Sequence, residues 1–539
     1  MTGAEAMVRC LEEEGIQVVF GYPGVAIAPF YEGIYNSEIR HVLVREEQNA
    51  GHAASGYARI TRKPAVCVAT SGPGATNLIT ALATAYADSI PVIAITGQVS
   101  TDLLGRDVFQ EADMRGATES FVKYSYLVKN VNDLPRIFKE AFYIANTGRK
   151  GPVLIDIPFD VQKDTLKHEF VYPEKVSIRS YKPSTKGNGQ QMAKVVDAIN
   201  HAKKPLICAG GGIILGDAEQ EVRAFCEKNQ IPLVHTMMGI GVLPKSHPLY
   251  FGMLGNNGKP YANKAVKNSD LLIIVGARIA DRAVPKPSEL EARVSVIHID
   301  IDTAEIGKNL GPTLPLVGDA KQIFKQLCEA DIKIDTDEWV EQLREIKRST
   351  VDTRAFSDKG VNPIQMVQKL SEKMEENAVY VADVGQNQLW SADNYVMKAG
   401  RFLTSGGMGT MGYSIPAALG AKMADPSRQV VAVCGDGSFQ MSMNELATIN
   451  VEKMPVKVMI IRNHYLGLVR EYQYNTYDAH YSGVQLYDTP HYDKIAAAYD
   501  MPYYECSDNE HLDERLDAFL ADPAAALMVI DVDYENHTK

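Results

Sequence analysis

Three α/β domains, each a doubly wound parallel sheet, are predicted for this chain by three observations. Short apolar runs that end in Gly, Pro or polar residues alternate with helix-period segments along its whole length. Two polar stretches, at about 162–191 and 331–362, cut that alternation into blocks. With 539 residues, 45% of them hydrophobic and 23% charged, the chain can bury several cores. The blocks are residues 1–165, 190–330 and 363–539.

In the first block VVFGYPG, HVLVREE, AVCVATSGPGATN, PVIAITGQ and GPVLIDIP each supply one run of strand length. The middle block repeats the style with PLICAGGG, IPLVHT, DLLIIVGARI and VSVIHIDID, and a helix-like segment surrounds Trp339 in the second link. The third holds VYVADVGQNQLW, the loop-helix SGGMGTMGYSIPAALG and a last run, ALMVIDVD. The first and third blocks are loosely alike in plan.

Residues 430–463 carry the sharpest signal. The run Val430–Cys434 ends in Gly435-Asp436-Gly437, a helix is expected from about Met443 to Glu452, and a second run, Val456–Ile461, ends at Asn463. That is one βαβ unit, whose right-handed crossover lays the strands parallel and brings Asp436 and Asn463 out at their carboxyl ends. A carboxylate beside an amide oxygen suits a hard cation that keeps positions for phosphate and water. The flanking glycines let a diphosphate approach the backbone. A tight turn with no ligand is the competing reading.

A formal charge of −12 argues against nucleic acid or an anionic membrane as the main partner. No apolar stretch reaches the roughly 20 residues that span a bilayer. MTGAEAMVRCLEEEG reads as an acidic amphipathic helix rather than a targeting peptide. The seven scattered cysteines suggest neither disulfides nor zinc, so a cytoplasmic location is expected.

Glu47, in VREEQNAGHAASGYAR, opens a helix after an apolar strand. With Glu46 it either offsets the helix dipole or serves as a buried proton-holding acid. Gly210-Gly211-Gly212 follows a strand without completing a dinucleotide fingerprint. Asp300 and Asp302 end another strand, where they either take ribose hydroxyls or cap a helix at Thr303–Lys308.

The span from Asp436 to Asn463 resembles the metal and diphosphate motif of thiamine-diphosphate-dependent enzymes. From about residue 4 to 535 the chain resembles the catalytic large subunits of the acetohydroxyacid (acetolactate) synthase family. FGYPG, TSGPGATN, TGQV, DVFQEAD, GPVLIDIP, SGGMGTMGY and GDGSF stand in the family's order. The resemblance names the domains pyrimidine-binding, central Rossmann-like and diphosphate-binding. It implies thiamine diphosphate with Mg²⁺ on Asp436, Asn463 and the Tyr465 carbonyl, and Gly435, Gly437, Ser438 and Gln386 at the diphosphate. Gly409 and Met411 would hold the cofactor bent. Glu47 would share a proton with the pyrimidine ring, so that the exocyclic amine makes the ylid, while Gly24 and Gln110 complete the catalytic end. Phe109, Phe159, Leu468 and Tyr472 would line the substrate pocket. FAD, structural in this family, would meet Arg149, Gly211, Gly212, Arg278, Asp300 and Asp319.

By that resemblance the chain decarboxylates pyruvate and joins the hydroxyethyl unit to a second 2-oxo acid. The product is 2-acetolactate or 2-aceto-2-hydroxybutyrate, at the first common step of branched-chain amino acid biosynthesis. At least a homodimer is implied, with a small regulatory subunit as a further partner. Several positions depart from the family: Arg462 before Asn463, Val25 for glycine, Phe159 for lysine, Asn256-Asn257 for Met-His, and Tyr472 for tryptophan. EQNA at 47–50 resembles the flavin-free, catabolic type, whereas DVFQEAD and Arg278 favour the flavin-containing one. The alternatives are thus a catabolic acetolactate synthase, another carboligase or decarboxylase of the superfamily, and an inactive cofactor-binding paralogue.

Overall fold

A computed structural model describes every residue except 285, 312, 352, 353, 487–489 and 539, so part of the second link lies outside the described residues. Strands β1 (Val18–Gly21), β2 (Arg40–Leu43), β3 (Ala65–Ala69), β4 (Val92–Gln98), β5 (Tyr124–Leu127) and β6 (Val153–Pro158) form the first sheet. The second comprises β7 (Pro205–Ala209), β8 (Leu233–His235), β9 (Tyr250–Met253), β10 (Leu271–Val275), β11 (Ser295–Asp300) and β12 (Leu314–Val317). The third comprises β13 (Val379–Ala382), β14 (Arg401–Thr404), β15 (Val430–Gly435), β16 (Val456–Arg462), β17 (Tyr503–Cys506) and β18 (Ala526–Asp531). Helices that matter below are α1 (Glu47–Thr61), α2 (Gln386–Asn394), α3 (Ser414–Ala424), α4 (Asp436–Ser442) and α5 (Gly467–Thr476).

All strand pairings are parallel. The first sheet runs β2-β1-β3-β4-β6-β5 and the third β14-β13-β15-β16-β18-β17, so the two share one connectivity. The likeness expected from sequence is therefore a likeness of topology. The middle sheet, β9-β8-β7-β10-β11-β12, has the strand order of dinucleotide-binding folds. In such sheets a crevice opens where the strand order reverses. That point lies between β1 and β3, between β7 and β10, and between β13 and β15.

The first and third domains share a core. Buried side chains run continuously from β3 and β4 through α1 and α3 to β15 and β16. Alanine and glycine on the facing sides of α1 and α3 allow this. A Cβ at Gly56 would lie 2.0 Å from the Ala417 carbonyl oxygen, and one at Gly420 would lie 1.8 Å from that of Ala53. Separate apolar clusters cover the far faces of these sheets and both faces of the middle sheet.

Two expected elements differ. The helix placed at 443–452 starts earlier, at Asp436, and breaks into a 3₁₀ turn at Met443–Glu445 before resuming at Leu446–Val451. At the break Glu445 turns inward and accepts hydrogen bonds from the Arg45 backbone N–H (2.7 Å) and Asn49 Nδ2 (3.0 Å). Residues 303–308 form turns rather than a helix. The Asp302 carboxylate there is divided between the Ala304 N–H and Arg149, so it caps one turn only.

Candidate functional site

The Gly435 turn delivers Asp436 to the crevice beside β15. Ser438 Oγ accepts from the Gly435 N–H (3.1 Å) and donates to its carbonyl (3.2 Å), which closes the turn that starts α4. Asp436 is buried. Its Oδ2 accepts from the backbone N–H groups of His464 (2.7 Å) and Asn463 (3.2 Å), and its Oδ1 from that of Gly437 (3.0 Å). Burial pushes its carboxyl up to about 6, against the pull of those N–H groups. Among the described residues no Lys or Arg forms a salt bridge with it. A buried carboxylate without a counter-charge is costly, and a divalent cation would relieve it.

Asn463 ends β16 alongside. Its Oδ1 accepts from the Tyr465 N–H (3.0 Å), and its Nδ2 donates to Gln386 Oε1 (3.0 Å). Gln386 Nε2 in turn donates to Glu471 Oε2 (2.9 Å) and the Asn536 carbonyl (3.0 Å). Both of its N–H bonds are used there, so in this conformation Gln386 reaches the crevice through Asn463. No cluster of three or more His, Cys, Asp or Glu side chains suited to a metal occurs among the described residues. One carboxylate with amide and carbonyl oxygens is instead the donor set Mg²⁺ accepts when phosphate and water complete its shell.

Asp383, at the end of β13, holds the loop that carries Gly409 and Met411. Its two oxygens accept from the N–H groups of Gly412 (2.9 Å) and Ser414 (2.8 Å). Burial raises its carboxyl above the ordinary range, with those bonds opposing. Gly409 sits at φ +73°, a conformation glycine adopts freely, and has open space where a Cβ would stand. The Met411 methyl lies 3.6 Å from the position a Cβ on Gly437 would take, so the loop lies against the Asp436 turn.

A second cluster occupies the equivalent crevice of the first sheet. Glu47, half-buried at the start of α1, accepts at Oε2 from Asn77 Nδ2 (3.0 Å). Thr70 is packed between two glycines: a Cβ at Gly24 would meet it at 2.5 Å and one at Gly74 at 2.8 Å, with Glu47 Oε1 at 3.2 Å from the latter. Gly72 lies against the Gln110 backbone, a Cβ there coming within 2.9 Å of its Cα. Glu47, Gly24 and Gln110 thus gather around the TSGPG turn. Asn77 and Thr70 in this crevice and Asp383 beside the other are not among the residues expected from sequence. The signal was their place inside TSGPGATN and VADVGQ.

The four expected pocket residues fall into pairs. Phe109 is 87% exposed and Phe159 begins a short helix, with Lys163 over its ring. Leu468 and Tyr472 sit on α5, Tyr472 edge-on to Tyr477 and exposed. Within one chain no described contact joins one pair to the other.

Gly211, Gly212, Arg278, Asp300 and Asp319 of the middle domain and Arg149 of the first all line one cavity of about 490 Å³. It opens at the strand-order reversal between β7 and β10, and its size is that of a cofactor pocket. Gly212 belongs there because a Cβ would meet Gly276 Cα at 2.7 Å. Arg149 donates to Glu305 (2.8 Å) and Asp302 (3.3 Å), and Asp319 accepts from the Gln322 N–H (3.0 Å). Asp300 accepts from the Asp302 N–H (2.9 Å), and burial pushes its carboxyl up to about 6. Asn257 also lines the cavity.

Comparison with known proteins gives the family. Residues 1–117 match the family model described as thiamine pyrophosphate enzyme, N-terminal TPP binding domain, 192–327 the central domain, and 383–532 the C-terminal TPP binding domain. The chain is 42% identical to a probable acetolactate synthase large subunit of Methanocaldococcus jannaschii, over 98% of this chain and 93% of that protein. It is 46% identical to the acetolactate synthase large subunit of Corynebacterium glutamicum, over 90% and 79% respectively. It is 43% identical to an acetolactate synthase of Arthrospira platensis, over 99% and 94%.

Proposed function

We infer function from the premise that this chain belongs to the acetolactate synthase large subunits within the thiamine pyrophosphate enzymes. It is an enzyme that uses thiamine diphosphate to decarboxylate pyruvate and condense the two-carbon unit with a second 2-oxo acid. When bound, the cofactor supplies the electron sink for both steps. The rest is our proposal for how this chain's residues serve it.

Asp436, Asn463 and the Tyr465 carbonyl hold Mg²⁺, and the Gly435–Ser438 turn holds the diphosphate. Gly409 and Met411 shape the cofactor, and Glu47 keeps a proton facing its pyrimidine. One observation carries this reading: two sheets of the same connectivity hold Glu47 and Asp436 in matching crevices, one with a half-buried acid and the other with a buried carboxylate that no described Lys or Arg offsets. Val25 and Phe109, the chain neighbours of Gly24 and Gln110 in the Glu47 crevice, are exposed apolar side chains. We therefore place the third domain of a second copy against it, so that Phe109 and Phe159 of one subunit meet Leu468 and Tyr472 of the other.

The middle cavity takes FAD. Its strand order, its size and the convergence of six expected residues favour the flavin-containing, biosynthetic type, at the entry to branched-chain amino acid synthesis. The relatives named as large subunits suggest a small regulatory partner. All seven cysteines are free thiols and no described helix is long and apolar enough to cross a membrane, in keeping with a cytoplasmic enzyme.

Product analysis tests the proposal. With thiamine diphosphate and Mg²⁺, pyruvate alone yields 2-acetolactate, and pyruvate with 2-oxobutyrate yields 2-aceto-2-hydroxybutyrate as well. Acetaldehyde as sole product, or no pyruvate consumed, would overturn it.

A further inference from the structure

Behind the proposed cation site lie two side chains of α5 that the synthase reading does not use. Helix α5 carries two consecutive charged residues, Arg470 and Glu471, that are buried to 4% and 5% exposure. Both are engaged by the segment 534–538. The Arg470 guanidinium lies among the rings of Tyr481, Tyr534 and Tyr465, at 4.6, 4.8 and 5.1 Å from their centroids, and donates to the Tyr534 carbonyl (2.9 Å). The Glu471 carboxylate accepts from the Thr538 N–H (3.0 Å to each oxygen) and from the Thr538 hydroxyl (2.7 Å). Its Oε2 takes the third donor, Gln386 Nε2.

The atom types in this chain leave one arrangement. The Glu471 carboxylate and the Asn536 carbonyl are pure acceptors, so the end of Gln386 facing both must be its NH₂. Gln386 then turns its oxygen to Asn463, which must answer with its own NH₂. Only after that is the Asn463 oxygen directed to the other side, where it accepts from the Tyr465 N–H. Two amides in series have thus been oriented by one buried carboxylate. Gly467 makes the pair compact: a Cβ there would come within 2.1 Å of Gln386 Oε1 and 2.7 Å of Asn463 Nδ2.

We propose that Glu471 is a positioning residue that, through Gln386, decides that Asn463 offers its oxygen rather than its NH₂ group to the cation, with residues 536–538 holding Glu471 in place. The proposal rests on the reading of Asp436 and Asn463 as cation ligands. Glutamine at 471 is nearly the same shape but brings a donor. Three donors, from the Thr538 N–H, the Thr538 hydroxyl and Gln386, would then share one oxygen, and a reversed Gln386 would set its NH₂ against that of Asn463. Relief comes when Asn463 turns over and presents N–H to the metal.

The test is Mg²⁺-dependent loading of thiamine diphosphate onto the full-length apoprotein, followed by tryptophan fluorescence and by calorimetry, with turnover not needed. Glu471→Gln should raise the half-saturating Mg²⁺ concentration by about tenfold or more, the usual effect of losing a residue behind a metal ligand, with the apoprotein melting temperature unchanged. Asn463→Ala is measured beside it. If Asn463→Ala raises the Mg²⁺ requirement and Glu471→Gln does not, Glu471 has no positioning role. If neither variant changes it, the ligand reading itself is wrong. Should Glu471→Gln fold poorly, Thr538→Val, which removes one donor to the same carboxylate, must still raise the Mg²⁺ requirement, and wild-type behaviour there overturns the proposal. In the Asn463→Asp variant either carboxylate oxygen can ligate. Adding Glu471→Gln to Asn463→Asp should therefore bring no further rise in the Mg²⁺ requirement, and an undiminished effect would mean that Glu471 acts by another route.

Discussion

Asn77 Nδ2 donates to Glu47 Oε2 at 3.0 Å, and this is the described hydrogen bond to the acid assigned to the pyrimidine. The donor is the last residue of the short helix Pro73–Asn77 that follows β3 and the acceptor the first residue of α1, so the acid is aimed by two separate elements of one domain. It fixes one carboxylate oxygen, while the other lies 3.2 Å from the position a Cβ on Gly74 would take.

Glu47→Gln keeps the shape of that side chain and the contact with Asn77 but removes the exchangeable proton. Steady-state assays should show kcat lowered by roughly 10²–10⁴-fold, the usual share of a general acid or base. Calorimetry should show thiamine diphosphate affinity and melting temperature little changed. Undiminished turnover would remove Glu47 from its role.

Gly420→Ala places a methyl group 1.8 Å from the Ala53 carbonyl oxygen unless the helices separate. Overpacking of this kind typically costs about 1–3 kcal/mol. A lower melting temperature is expected in thermal denaturation, and Gly56→Ala, facing Ala417 in the same way, should cause a similar loss.

Asp156 on β6 is buried and accepts from Thr96 Oγ1 (2.7 Å) and Gln98 Nε2 (3.0 Å). Burial pushes its carboxyl up to about 7, with those two bonds opposing. Unfolded, the group titrates near its ordinary value of about 4, so between about pH 4 and 7 the folded chain holds the extra proton. This contribution to stability is full at the acidic end and is lost as the pH rises to about 7. Wild type should therefore gain stability relative to Asp156→Asn as the pH falls across that window, in paired denaturant titrations.

Arg278 lines the middle cavity. The purified protein should be yellow with a flavin absorbance band. Arg278→Ala should weaken flavin retention by about 10–100-fold, as expected for a lost charge-assisted hydrogen bond, in equilibrium dialysis. A colourless wild type that takes up no added FAD would return the chain to the flavin-free type.

Most of this was legible in the chain, and the gaps have a physical cause. The runs taken for strands are β1, β2, β3, β4 and β6, β7, β8, β10 and β11, and β13, β15, β16 and β18. The five that escaped are β5, β9, β12, β14 and β17, and every one lies at the edge of its sheet. An edge strand is covered less completely, so YSYL or YYEC lacks the unbroken apolar character of LLIIV. Asp436, Asn463 and Glu47 stand in motifs with fixed spacing and could be found. Glu471 sits among exposed tyrosines on α5, and only the return of residues 536–538, far along the chain, reveals what it holds.

The contact between α1 and α3 is reciprocal: Gly56 faces Ala417 and Gly420 faces Ala53, each glycine three positions after its alanine. Such a swap is the mark of a dyad, here folded into a single polypeptide. Counted back from those glycines, Glu47 and Met411 stand at corresponding places, nine residues before each. One connectivity thus appears twice, and its matching positions carry different chemistry, one an ionisable group and the other a thioether.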